Sequence, residues 1–290
     1  MAPEDLSYFQ AFLADRSGLN LWPEKAYLLE SRLARILRDR DLVNLSALAA
    51  KLRNGGDSSL ERDVIEAMMT HETLFFRDAK SFELLRSIVL PELAAARRAE
   101  RRLSIWCAAC STGQEPYSLG MMIDEMSDLF AGWSIRILAT DLSTAIVDRA
   151  RAGVFTQFEV QRGLPVRLLL KHFSQEPEGW TLDARIRSMV EFRPFNLLRD
   201  AAPFGRFDLI LCRNVMIYFD ASTRTGLFAR LRRQIAPDGA LMLGGAETVL
   251  GMTADFAPDR RTPGFYRPTP DVAPTMAENL AQMRLRLARA

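Results

Sequence analysis

The chain has 290 residues, 48% hydrophobic and 26% charged, enough for one large globular domain and a small one. A formal net charge of +2 offers no global field for nucleic acid or an anionic membrane, and no apolar run approaches the roughly 20 residues that span a bilayer. Three cysteines make no disulfide framework and the acidic start "MAPEDLSYFQ" is unlike a secretory signal, so a cytoplasmic protein without membrane insertion is expected.

Up to about residue 85 the pattern is helical throughout. Leu29, Leu33, Ile36 and Leu37 mark one apolar face, with Arg32, Arg35 and Arg38 largely opposite. Residues 25–53 carry seven Lys/Arg against three acids, a local net of +4. "RNGGDSS" at 53–59 predicts a turn, followed by a helix capped by Ser58 or Ser59.

From about residue 101 strands alternate with helices. "RLSIWCAA" is read as a strand, and "PYSLGMMIDEMSDLF" as a helix with Pro116 in its first turn. "SIRILATDLS" is a second strand, followed by a helix capped by Ser143 and stopped by Gly153. "SMVEFRPFNL" and "RFDLILCRNVMIYF" predict further strands, "STRTGLFARLRRQI" a helix, and "GALMLGG" a last strand after the "PDG" turn. Nearly continuous apolar strands in this alternation indicate an α/β fold with a parallel, doubly wound sheet. Residues from about 155 to 190 interrupt it and predict a small insertion with a helix and a hairpin around "PEGW". The last 20 or so residues read as a loop and a terminal helix.

Ligands of such sheets bind beyond the carboxyl ends of the strands, where "ACSTGQEP" falls. Its small residues, Ala109 and Gly113 among them, let a ligand approach the backbone. Asp141, 28 residues past Gly113, stands at a strand end where an acid can accept from ribose hydroxyls. The full G-x-G-x-x-G dinucleotide loop is absent, which disfavours NAD and leaves a nucleoside without a pyrophosphate, S-adenosylmethionine being the obvious case. The rival reading takes Cys107 and Cys110 as half of a metal or redox site. Zinc needs about four ligands, however, and only Cys212, His71 and His172 remain to supply them. Small apolar residues packed at a strand end account better for the cysteines, and no metal is expected.

"MTHETLFFRD" at 69–78, "WCAACSTGQEPYSLGM", "ATDLS", "FNL" at 195–197 and "FDLILCRNVMIYFD" at 207–220 together resemble the CheR family of chemotaxis receptor methyltransferases, in order, from about residue 20 to 267. The resemblance implies a helical N-terminal domain (1–85) and a Rossmann-like class I methyltransferase domain (86–290) with an inserted β-subdomain. It implies methyl transfer from S-adenosyl-L-methionine to glutamate side chains in the cytoplasmic helical bundle of methyl-accepting chemotaxis receptors, leaving S-adenosyl-L-homocysteine. In some members the β-subdomain also docks on a peptide at the receptor's C-terminus.

Carried over by position, Thr73 and Arg77 would reach the cofactor from the N-terminal side. His71 stands where many members have asparagine. Glu115 would bind near the methionine end, Asp141 the ribose, and Asn196 and Leu197 would flank the adenine, with Arg213 and Asn214 below. Tyr218 would face the reacting centre, and with Arg77 it is the catalytic candidate. Arg32, Arg35 and Arg38 would meet the acidic surface of a receptor. Bland readings stand beside these: an interdomain ion pair for Arg77, a helix cap for Asp141, core for Tyr218, Phe75 and Phe76, and a solvated face for the arginines. A methyltransferase of small molecules or nucleic acid, a pathway with another output, and a non-catalytic S-adenosylmethionine sensor remain as alternatives.

The acceptor that the resemblance implies calls for no general base. A glutamate acceptor, with a pKa near 4.3, is already ionised at neutral pH. Neutralisation of opposite charges in the transition state favours a dry, well-aligned pocket.

Overall fold

A computed structural model describes residues 2–270; the predicted terminal helix lies outside them. The first helices are α1 (Pro3–Ser17), α2 (Tyr27–Asp39), α3 (Leu45–Arg53) and α4 (Ser58–Met68). Their apolar faces close on one another around Phe9, Leu13, Leu29, Leu33, Leu48, Leu60 and Val64, in a core separate from the rest. The cap of α4 is Asp57, whose carboxylate accepts from Leu60 N at 2.9 Å, and not Ser58 or Ser59. Ser59 instead donates its hydroxyl to Asp57, so the stronger acceptor takes the orphan N–H.

After an extended linker, α5 (Ala79–Leu84) runs through a π-helical turn at Leu85–Val89 into α6 (Leu90–Ala96). Sequence reading set the domain boundary near 85. Phe75, Phe82, Leu85 and Leu93 nevertheless pack in the core of the sheet, so by packing the change falls within the linker.

The strands that follow are β1 (Arg102–Ala108), β2 (Ser134–Asp141), β3 (Val154–Phe155), β4 (Phe173–Glu176), β5 (Gly179–Leu182), β6 (Val190–Pro194), β7 (Phe207–Cys212), β8 (Ile235–Leu243), β9 (Phe256–Pro258) and β10 (Phe265–Pro268). They form a seven-stranded sheet ordered β6-β2-β1-β7-β8-β10-β9, parallel from β6 to β8 and antiparallel beyond. The intervening helices are α7 (Gln114–Glu125), α8 (Ser127–Phe130), α9 (Thr144–Ala152), α10 (Gln157–Val160), α11 (Val166–His172), α12 (Ala184–Arg187) and α13 (Ala221–Gln234). Two apolar cores cover the two faces of the sheet, as buried parallel strands require. Ser143 caps α9 and left-handed Gly153 ends it, as expected.

Three predicted elements differ. The strand expected over 206–219 stops at Cys212, because the N–H groups of 214–216 bond a carboxylate instead of a neighbouring strand. β8 begins at Ile235, before the "PDG" turn, which is absorbed in a register shift opposite Phe207/Leu209. The helix expected over 116–130 breaks at Met126 into α7 and α8.

The insertion is a three-stranded antiparallel sheet, β3-β5-β4, with α10 and α11. Its hairpin turns at Pro177–Glu178. Lys171, Arg167 and Arg185 fasten it to Asp124 and Glu125 of α7. His172 is buried within the same cluster, with Nε2 3.9 Å from Asp124.

Candidate active site

A cavity opens beyond the carboxyl ends of β1, β2, β6 and β7, the place a doubly wound sheet offers a ligand. Residues from every segment meet there: His71, Thr73 and Arg77 from the linker, Ala109 and Glu115 after β1, and Asp141 ending β2. Asn196 and Leu197 follow β6, and Arg213, Asn214 and Tyr218 follow β7. Gly113 does not line the cavity. It stands at φ +95°, where an added Cβ would lie 3.1 Å from Ala150 and the Tyr117 ring, so glycine serves the entry of α7. Arg32, Arg35 and Arg38 lie elsewhere, on α2.

Backbone strain concentrates around the cavity. Of seven non-glycine residues with positive φ among the described residues, Phe76, Asp78, Ala109, Ser111 and Asn214 belong to the loops that build it. Ser111 is tied down twice, its N–H donating to Asp141 Oδ2 at 2.8 Å and its hydroxyl to the His71 carbonyl at 2.9 Å.

Two buried carboxylates give the cavity its electrostatics. Burial pushes Glu115 above the usual carboxylate range, opposed by Arg213, whose Nη1 donates to its Oε2 at 2.9 Å. Burial likewise raises Asp141, opposed by the N–H groups of Ser111 and Ser143. His71 is pushed below its ordinary value by burial, with Asp141 acting against the shift. Arg213 is spent on the protein: Nη2 donates to Asp78 Oδ2 at 2.7 Å and to the Arg77 carbonyl at 2.8 Å, while Nε is buried without a partner. It thereby binds the linker to Glu115. Asn196 is similarly committed, donating to the Arg16 carbonyl at 2.7 Å and accepting from Leu198 N.

All three cysteines are buried and free, and burial drives their thiols well above the ordinary value. A nucleophilic thiolate is thus disfavoured at the C-x-x-C, whose two cysteines pack in the core. The cavity also has walls that sequence reasoning passed over: Ser17 and Leu19 from the helical domain, Leu142, Phe195, Val215 and Phe219. Phe195 and Phe219 adjoin recognised motifs, whereas nothing in the sequence of the segment after α1 announces a role in the cavity.

These residues suit a cationic nucleoside cofactor. Two ionisable acids in a mostly enclosed cavity complement an ammonium group and vicinal hydroxyls, and the strained, small-residue loop at Ala109–Ser111 leaves room for close approach. Fold and site together define a class I methyltransferase with S-adenosyl-L-methionine as cofactor and S-adenosyl-L-homocysteine as product. Residues 4–69 match the family described as "CheR methyltransferase, all-alpha domain", and residues 71–264 match "CheR methyltransferase, SAM binding domain". The chain belongs to the CheR methyltransferase family.

Chemotaxis protein methyltransferase 1 of Pseudomonas aeruginosa is 39% identical over 275 residues, covering 92% of this chain and 98% of that one. Chemotaxis protein methyltransferase Cher2 of Pseudomonas putida is 36% identical over 265 residues, covering 90% and 96%. Among solved structures, the glycopeptide N-methyltransferase MtfA complexed with sinefungin is similar at 16% identity and a TM-score of 0.33, over 59% of this chain and 53% of that one.

Proposed function

We propose that this protein methylates glutamate side chains in the cytoplasmic helices of methyl-accepting chemotaxis receptors, forming γ-methyl esters. The observation that carries the reading is the single cavity in which linker, β1, β2, β6 and β7 residues of the family's motifs meet. S-adenosyl-L-methionine, when bound, supplies an electrophilic methyl on a sulfonium whose loss leaves a neutral thioether.

Within that reading Asp141 accepts from the ribose hydroxyls and Glu115 faces the ammonium end. Asn196 and Leu197 flank the adenine. The acceptor arrives ionised, so no side chain has to remove a proton. Arg77 holds the carboxylate in place; such an ion pair stabilises bound substrate more than a transition state of diminished charge. Tyr218 donates a neutral hydrogen bond that aims one carboxylate oxygen. The exposed Arg35 and Arg38 of α2 meet acidic receptor surface, and the β-subdomain is the docking site for a receptor tether peptide where one exists.

The test incubates the protein with methyl-labelled cofactor and receptor cytoplasmic fragments, then treats the product with base. Volatile methanol released by base supports glutamate esters. Base-stable label would assign another acceptor, and tight binding of S-adenosyl-L-homocysteine with no labelled product would favour a sensor.

A further inference from the structure

The turn that carries Asn214 and leads to Tyr218 is held by a side chain outside every motif of the sequence. Glu247 lies in the loop after β8, and its carboxylate collects four main-chain donors. Oε1 accepts from Val215 N at 3.0 Å and Met216 N at 2.8 Å; Oε2 accepts from Asn214 N and Gly244 N, both at 2.8 Å. β7 has ended at Cys212, so the three consecutive donors at 214–216 have no strand to pair with. An anion that accepts from successive N–H groups at the start of a helical turn caps it, here the 3₁₀ turn Met216–Tyr218.

We propose that Glu247 is a positioning residue for methyl transfer, fixing the 214–216 turn so that Asn214 meets the cofactor and Tyr218 the acceptor. This rests on the reading of the cavity given above. Three further observations support it. Asn214 sits at φ +57°, a conformation that a non-glycine residue keeps only where its surroundings over-determine it. Gly244 is packed so closely that a Cβ there would lie 2.8 Å from both Asn214 Nδ2 and Glu247 Oε2; the turn, its side chain and the carboxylate are therefore one contact. The far end of the turn is fixed independently, by Asn20 N donating to the Tyr218 carbonyl at 2.8 Å. With that end held by the helical domain, the carboxylate fixes the near end through three successive N–H groups. An amide cannot replace it, because its NH₂ would face N–H donors.

The experiment compares wild type, Glu247→Gln, Tyr218→Phe and the double variant. It measures kcat and KM on a receptor cytoplasmic fragment, and S-adenosyl-L-homocysteine affinity by calorimetry. Glu247→Gln should lower kcat about 10- to 100-fold with receptor KM little changed, and weaken the cofactor product several-fold through Asn214. The double variant should be within about twofold of the slower single one, because residues acting as a unit do not add. A merely structural role would make the two losses multiply. Multiplying losses, or wild-type turnover and affinity in Glu247→Gln, overturn the proposal. If wild type itself forms no ester, the reading of the cavity fails separately, and calorimetry still decides whether Glu247 sets Asn214. Should Glu247→Gln not fold, Gly244→Ala carries the same test from the β8 side, with the same losses expected.

Discussion

Asp141 and Tyr218 line one cavity but face different tasks in the proposed reaction, and substitution should separate them. Asp141→Ala removes a buried acceptor, so S-adenosyl-L-homocysteine binding should weaken by about 1–3 kcal/mol. Tyr218→Phe should slow turnover about 10-fold or more with that affinity nearly unchanged. Equal affinity losses in the two variants, by calorimetry, would end this division of labour. The carboxylates also make a pH prediction. Burial raises Glu115 and Asp141 above their unfolded values, so in the window above those values the folded chain holds more protons than the unfolded one. Their contribution to the stability of the unliganded protein therefore falls as pH rises through that window. Cofactor binding uses the ionised forms and should strengthen over the same range. The shift in melting temperature produced by S-adenosyl-L-homocysteine should widen as pH rises from the ordinary carboxylate range toward neutrality. A shift that stays constant would show that neither carboxylate titrates against the ligand.

At the scale of elements, buried apolar runs made β1, β2, β6, β7 and α9 legible, because their periodicity and caps are local properties. What was not legible depends on distant partners. The apolar run of β7 continues through "VMIYF", and periodicity extends the strand with it; the carboxylate that ends it comes from 31 to 33 residues further on. The entry of α7 misled in the opposite sense. Gly113 looks like a ligand-cradling glycine, yet its constraint is the left-handed start of α7 against Tyr117 and Ala150. Gly113→Ala should thus cost about 1–3 kcal/mol in denaturant unfolding while the folded fraction binds S-adenosyl-L-homocysteine normally. A large affinity loss at unchanged stability would return Gly113 to the binding loop.

On the scale of the whole molecule the helical domain is part of the site. Ser17 and Leu19 line the cavity, Asn20 holds Tyr218, the Arg16 carbonyl holds Asn196, and Glu66 accepts from the α9 cap Ser143 at 2.9 Å. Those contacts join the helical domain that carries α2 to the cavity loops, so in the proposed reading a receptor helix gripped by α2 would be aligned with the cavity. The three arginines that the sequence groups on one face of α2 are not equivalent, however. Arg32 donates to the Met68 and Met69 carbonyls at 2.6 and 3.1 Å and to Thr70, closing the end of α4 just before the linker. No periodicity could reveal that, since its partners lie 36 to 38 residues away. Arg35, 83% exposed, pairs with Asp39 one turn on, and Arg38 is exposed as well. Arg32→Ala should therefore lower stability by about 1–2 kcal/mol, read by thermal unfolding, with receptor recognition affected only through the fold of the helical domain. Arg35→Glu/Arg38→Glu should leave stability within about 0.5 kcal/mol and S-adenosyl-L-homocysteine affinity intact. Its receptor KM should rise about 10-fold at low ionic strength, and the difference from wild type should shrink toward 1 M salt, where the screening length is about 3 Å. An unchanged KM at low salt would remove this face of α2 from the docking surface and leave recognition to the cavity rim and the β-subdomain.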